Sequence, residues 1–430
     1  MALVSELDLP AFDYTDPTLR GERFHAAMAQ VRETGWLAQA PFGYMVLDRE
    51  AGEHFLRLRS AIFPGMKIAE IFGVEQGPLY EQMKRNILHV NGADHSRLRS
   101  LVNPALSPRA VERYRPRMRG FLEGLLDQAL AADSAGGSEA GGSGQRVLRC
   151  DFVEAFAKPY PSQVIASVMG APIDDAPRLH HWSYWIQKQF DAAGMASEQE
   201  QIGQAVEEFY EYAEALLKAR RADPGDDLMS MLIAAEEEGE RLSDVECINL
   251  VFNILAGGVD TTQSQMAHAV RLLAEHPEQW QLLHERPELA GAAVEEALRY
   301  EPITPFTARI LTEEVTYRDV VFPQDTVVMV CAFTGNRDFL DSGAGEGEGG
   351  AGEVAPERFD IAADRGRARP LTFGAGVHYC LGANLARLEM QEGLTFFAEK
   401  LGELALDGEP VYGTVSGIYG LEALPVKFTL

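Results

Sequence analysis

The chain has 430 residues, 46% of them hydrophobic, enough for a large buried core in one big domain or two ordinary ones. Its 65 acidic against 38 basic side chains leave a formal net charge of −27, which excludes nucleic acid as a general partner, because phosphate binding needs clustered Lys and Arg. The four cysteines, Cys150, Cys247, Cys331 and Cys380, have no paired spacing, so the expectation is a reducing cytoplasm with neither a disulfide framework nor a Cys-x-x-Cys zinc site.

The N-terminus, Met1-Ala-Leu-Val-Ser-Glu-Leu-Asp8, has neither a basic start nor an apolar run, and no later segment reaches the roughly 20 apolar residues of a membrane helix. No signal peptide or membrane anchor is expected. Up to about Arg299 the sequence reads as helices punctuated by Pro and Gly, without internal repeats. Strand-like runs are few: 44–47, 314–322, 326–331 and 424–430. The prediction is a mainly α fold with small β-sheets. Glycine-rich stretches near 134–144 and 342–352 read as flexible inserts.

His95 and Arg99 stand one helical turn apart and can present two donors to an anion; taken singly, each equally suits a surface helix. A capping box at Ser243-Asp-Val-Glu246 opens a helix predicted to run to about Glu275, ahead of Pro277. At about 33 residues it would span roughly 50 Å. Inside it lies Ala256-Gly257-Gly258-Val259-Asp260-Thr261, and glycines in a helix interior cost about 1 kcal/mol each relative to alanine. Close approach by a flat ligand or by another helix would compensate, and both readings stay open. Asp260 and Thr261 are an acid and a hydroxyl able to relay protons; otherwise Thr261 bonds back to a carbonyl one turn earlier and Asp260 pairs with a surface cation.

Glu296 and Arg299 share a helix face ahead of Pro302, a pairing common on solvated helices. Arg309 and Arg358 are further cations along the chain. The most informative stretch is Pro370-Leu-Thr-Phe373-Gly374-Ala-Gly376-Val-His378-Tyr-Cys380-Leu-Gly382. Its glycines let the backbone curl around Cys380, and the apolar spacing beyond starts a helix whose dipole favours a thiolate. Two other matches fail: Gly374 to Tyr379 lacks the third glycine of a dinucleotide fingerprint, and His284-Glu-Arg-Pro-Glu288 lacks the second histidine of a zinc protease.

In chain order these pieces resemble the cytochrome P450 family from about residue 90 to the C-terminus. Phe373 to Gly382 is similar to the family's haem loop, and 257–261 to the oxygen-activating kink of its central helix. The resemblance implies haem b (iron protoporphyrin IX) with Cys380 as axial metal ligand. It places His95, Arg99, Arg309 and His378 at the propionates, and Ala256, Gly257, Phe373, Gly374 and Gly382 against the cofactor. Asp260 and Thr261 become catalytic, and Glu296, Arg299 and Arg358 a buried structural triad. The whole of 1–430 is then one P450 domain.

The implied activity is a haem-thiolate monooxygenase that uses dioxygen to hydroxylate or epoxidise a hydrophobic small molecule. A peroxide-driven peroxygenase, or a non-catalytic haem-thiolate binding or sensing protein, are the alternatives. Without a fused reductase segment, electrons would come from a ferredoxin and ferredoxin reductase. Docking would use Arg365, Arg367 and Arg369 or the run Arg109, Arg113, Arg115, Arg117 and Arg119. By family position, Phe252, Ala256, Ile303, Phe306, Ile418 and Tyr419 would line the substrate pocket, with 61–91 and the helices around Trp182 and Trp185 as a lid.

Overall fold

The computed structural model describes residues 1–135, 146–237, 242–338, 355–365 and 369–430. The insert at 342–352 and nearly all of that at 134–144 lie outside the described residues, as does Arg367. Among the described residues no helix is long and apolar enough to cross a membrane. The chain divides into two compact units, Met1–Pro64 with Glu295–Cys380 and Gly413–Tyr419, and Gly65–Val294 with Leu381–Tyr412 and Gly420–Leu430.

The first unit is built on a five-stranded sheet ordered Leu37–Ala40, Gly43–Val46, Val327–Cys331, Phe306–Leu311, Ala61–Ile62. Gly43 permits the hairpin to lie against the third strand: its φ is +127°, and a Cβ there would stand 2.2 Å from the Val327 carbonyl oxygen. The stretch 314–322, read as one strand, is a hairpin of Val315–Tyr317 and Val320–Phe322. Arg318 and Asp319 turn it with φ of 49° and 62°, the left-handed pair that a tight hairpin requires. Phe55 and Leu56 of the helix Arg49–Arg57 pack into a core with Val330, Phe322 and Leu371.

The same unit corrects the expected charge triad. Glu296 and Arg299 are buried and joined through two bonds, Nε to Oε2 at 2.7 Å and Nη2 to Oε1 at 2.8 Å. Their third partner is Arg365, whose Nη2 donates to Glu296 Oε1 at 2.8 Å. Arg358 contributes only its carbonyl, and its side chain is 63% exposed beside Asp360. Arg365 is thereby also removed from the exposed docking candidates.

The second unit is helical. Its principal helices are Arg115–Ala135, Pro159–Met169, Ala176–Gln187, Gln199–Ala222, Asp244–Gly258, Asp260–Glu275 and Ala383–Lys400, beside an antiparallel sheet of Leu404–Leu406, Pro425–Thr429 and Val147–Asp151. The capping box at Ser243 forms, and the last turn ends at Glu275. The single long helix does not: it breaks at Val259, where φ is −88° and ψ −74°. The basic run after residue 108 is largely neutralised. Arg113 pairs with Asp226 at 2.7 Å, Arg115 with Glu112 and Glu392 at 2.9 and 2.8 Å, and Arg119 with Glu392 and Glu399, while Arg117 bonds Ser167.

Glu389, on Ala383–Lys400, is fully buried and neither carboxyl oxygen has a partner among the described residues. Burial holds its pKa well above the ordinary 4.5. The folded protein therefore binds a proton that the unfolded chain releases above that pH, so stability falls as pH rises, by about 1.4 kcal/mol per pH unit until the folded pKa is reached. Urea midpoints of wild type and Glu389→Gln across that range are expected to show the slope in the first and lose that component in the second; identical profiles would contradict it.

Candidate active site

In the first unit, the segment around Cys380 is anchored by Asn336, a fully buried residue that sequence reasoning passed over. Its Oδ1 accepts from the Leu371 N–H at 2.6 Å and its Nδ2 donates to Thr372 Oγ1 at 3.0 Å. Beyond this anchor Gly374 and Gly376 take φ of +69° and +71°. At Gly376 a Cβ would lie 2.5 Å from the Leu56 carbonyl oxygen, so only glycine lets the loop seat on the end of Arg49–Arg57. The Cys380 N–H donates to the Phe373 carbonyl at 2.9 Å, closing the loop. Gly382 caps the helix that follows, which puts Cys380 just ahead of a helix N-terminus as expected.

The other cysteines are placed as inert thiols. Burial pushes Cys150 up to about 12 and raises Cys331, and Cys247 is wholly enclosed. Cys380 is half-buried on a shaped loop.

Arg309 projects from the strand Phe306–Leu311 and is 2% exposed. Its Nη1 reaches the Ala308 carbonyl at 2.8 Å, and its Nε has no partner among the described residues. Burial alone lowers its pKa to about 10, because the charged form is desolvated. His378 lies half-buried in the turn Gly376–His378.

In the second unit, His95 and Arg99 share the helix Gly92–Val102. Burial, and then the Arg99 charge, lower the histidine's pKa. The two glycines after Ala256 divide the readings left open by the sequence. A Cβ on Gly258 would stand 2.4 Å from Ile165 Cδ1, so Gly258 serves close helix packing against Pro159–Met169. Gly257 is exposed, and nothing lies within 4 Å of a Cβ there, which leaves room for a ligand.

Thr261 Oγ1 donates to the Gly257 carbonyl at 2.5 Å, the backward bond that stood as the alternative to a relay role. Asp260 does not pair with a surface cation. It is 7% exposed, and Ser183 Oγ donates to its Oδ2 at 2.6 Å. His180 Nε2 lies 3.9 Å from Oδ1 and 2.9 Å from Gln263 Oε1. Burial raises the Asp260 pKa, opposed by the Ser183 hydrogen bond and the His180 charge. Ser183 and His180 stand one turn apart on Ala176–Gln187, but no local motif marked either residue.

Two pocket assignments are corrected. Phe252 is fully buried against the rings of Phe209 and Tyr210, each at 5.6 Å. Tyr419 is equally buried, its hydroxyl accepting from the Gly21 N–H at 2.8 Å and its ring 5.4 Å from Phe24. Aromatic packing claims both. Phe306 packs with Phe12, Tyr14 and Phe24 and, like Ile303 and Ala256, shows only a narrow edge, whereas Ile418 is half-buried.

The first unit thus offers a half-buried cysteine on a shaped glycine loop and a desolvated arginine with no anionic partner among the described residues, and the second an open glycine notch beside a buried acid.

The cytochrome P450 family model matches residues 71–288 and 279–399. The chain is 32% identical over 428 residues to luteothin monooxygenase of Streptomyces thioluteus, covering 98% of this chain and 96% of that protein. It is 34% identical over 331 residues to the mycinamicin IV hydroxylase/epoxidase of Micromonospora griseorubida, covering 76% and 75%. Among solved structures, CalO2 superposes with a TM-score of 0.84 at 29% identity, covering 98% of this chain and 99% of that one. The mainly α architecture, the family match and these relatives show that the chain belongs to the cytochrome P450 family of haem-thiolate monooxygenases.

Proposed function

We propose that the protein inserts one atom of dioxygen into a hydrophobic organic molecule, by hydroxylation or epoxidation, and that Cys380 would hold haem b through its thiolate. His95, Arg99, Arg309 and His378 would hold the propionates. Bound haem supplies the iron at which dioxygen is reduced, and a thiolate ligand donates electron density that favours O–O cleavage. The relatives that act as a monooxygenase and as a hydroxylase/epoxidase support the reaction class. We read 1–430 as one functional domain working in the cytoplasm.

The observation that carries the dioxygen reading is the break at Val259. Burial raises the pKa of Asp260, Ser183 fixes its carboxyl, and His180, 3.9 Å from that carboxyl, keeps 23% of its side chain exposed. A proton can enter at His180, reach Asp260 and leave toward Gly257. Thr261, donating to the Gly257 carbonyl, keeps its oxygen lone pairs free to accept from an incoming proton donor. A peroxide-driven enzyme has no need of this relay.

Electrons would come from a separate ferredoxin and its reductase. With Arg365 paired to Glu296 and Arg113, Arg115 and Arg119 paired within the chain, the exposed candidates among the described residues are Arg369 in the first unit and, separately, Arg109 and Arg117 in the second.

Asp260→Asn keeps the size of the side chain and removes the acid. Product formation with dioxygen and a ferredoxin system is expected to fall about 100-fold, within the usual range for a lost general acid, while peroxide-driven turnover stays near wild type. Equal loss with both oxidants would refute the relay. Turnover by wild type with peroxide alone, and none with dioxygen, would refute the monooxygenase reading.

A further inference from the structure

We propose that Asn253 is a specificity-determining residue whose Oδ1 accepts a hydrogen bond from a hydroxyl or N–H group of the substrate. The inference deepens the reading of a hydrophobic organic substrate and rests on it. Asn249, Asn253 and Gly257 recur every four residues along Asp244–Gly258, each displaced by about 40° around the axis, so they form one stripe.

The first asparagine is closed. Asn249 is 4% exposed, its Nδ2 donates to the Val245 carbonyl at 2.6 Å, and its Oδ1 accepts from the Tyr210 hydroxyl. Asn253 repeats the backward bond, Nδ2 to the Asn249 carbonyl at 2.6 Å. A carbonyl can only accept, so that bond fixes which way the amide is turned and directs Oδ1 away from the backbone. No group among the described residues donates to this Oδ1, and Asn253 is half-buried.

One turn on, Gly257 is exposed with nothing within 4 Å of a Cβ position. The flanking Phe252, Ile254, Leu255 and Ala256 are all buried, so the stripe opens at Asn253 and Gly257 alone within this stretch. Four residues of helix separate the two levels by about 6 Å. A substrate lying along the stripe would meet one polar acceptor about 6 Å from the Gly257 notch. A ligand that covered Oδ1 without donating to it would strand a desolvated acceptor, and one that donated would not.

Ligand pairs that differ in a hydroxyl donor test this: dodecanol against its isomer methyl undecyl ether, and testosterone against its methyl ether. Equilibrium dialysis on the haem-loaded protein reads binding without turnover. Wild type is expected to bind the donor member about tenfold tighter in each pair that binds, Asn253→Leu to bring that ratio to about one, and Asn253→Asp, which keeps an acceptor, to retain it. Equal binding of both members by wild type, or a ratio that survives in Asn253→Leu, overturns the assignment and leaves the monooxygenase reading standing. Binding of neither member of either pair overturns the hydrophobic-substrate reading as well.

Discussion

Arg365→Ala is expected to lower unfolding stability by about 3 kcal/mol, the range in which breaking a buried ion pair falls, while Arg358→Ala stays within about 0.5 kcal/mol of wild type. Glu296 Oε1 accepts from Arg299, from Arg365 and from the Asp360 N–H at 3.0 Å. Arg365 also donates to the Arg358 carbonyl at 2.7 Å, and Arg299 to the Pro356 carbonyl at 2.7 Å. The two guanidinium groups thus fasten the 356–360 segment to the helix Ala290–Tyr300 while neutralising one carboxylate. Removing Arg365 leaves Glu296 4% exposed with a single cation and strips the Arg358 carbonyl of a donor. The side chain of Arg358 is solvated, and its carbonyl remains in the alanine variant. Urea midpoints of the two variants decide the matter; a larger loss from Arg358→Ala would return that residue to the cluster.

The confusion between these two arginines shows where a sequence stops being legible. Glu296 and Arg299 are three apart on one helix, so their pairing follows from local geometry. Their partner could be any cation in a stretch with Arg358 and Arg365 seven positions apart, and only tertiary packing selects one. The cysteine loop was legible because its requirements are local: two left-handed glycines and a helix start. Its anchor Asn336 was not, since nothing near it in the chain announces a bond to Leu371. The two glycines at 257 and 258 announced a close approach; that Ile165 causes one of them and open space accompanies the other depends on a helix almost a hundred residues away. The basic run failed for the same reason. Its charges are real, but Asp226, Glu392 and Glu399 that neutralise them come from distant segments. Phe252 and Tyr419 look like pocket aromatics by position, yet ring packing encloses them.

Cys380→Ala is expected to abolish dioxygen-dependent turnover and, in the reduced protein under carbon monoxide, the red-shifted Soret band of a thiolate-ligated haem. The same substitution at Cys150, Cys247 or Cys331 is expected to leave both in place. Surroundings separate the four. Cys331 is enclosed and held as a thiol by burial, Cys150 is pushed up to about 12 within the strand Val147–Asp151, and Cys247 sits inside the helix Asp244–Gly258. None of these positions favours an exposed anion. Cys380 follows a loop whose shape is fixed independently of its sulfur, by Asn336 on one side, Gly376 against Leu56 on another and the Phe373 carbonyl on its own N–H. Alanine at 380 leaves these three contacts in place, so a loss of the band reports on the sulfur. Retention of the band in Cys380→Ala, or its loss in a Cys331→Ala protein that keeps wild-type stability, would move the ligand elsewhere and with it the proposed site.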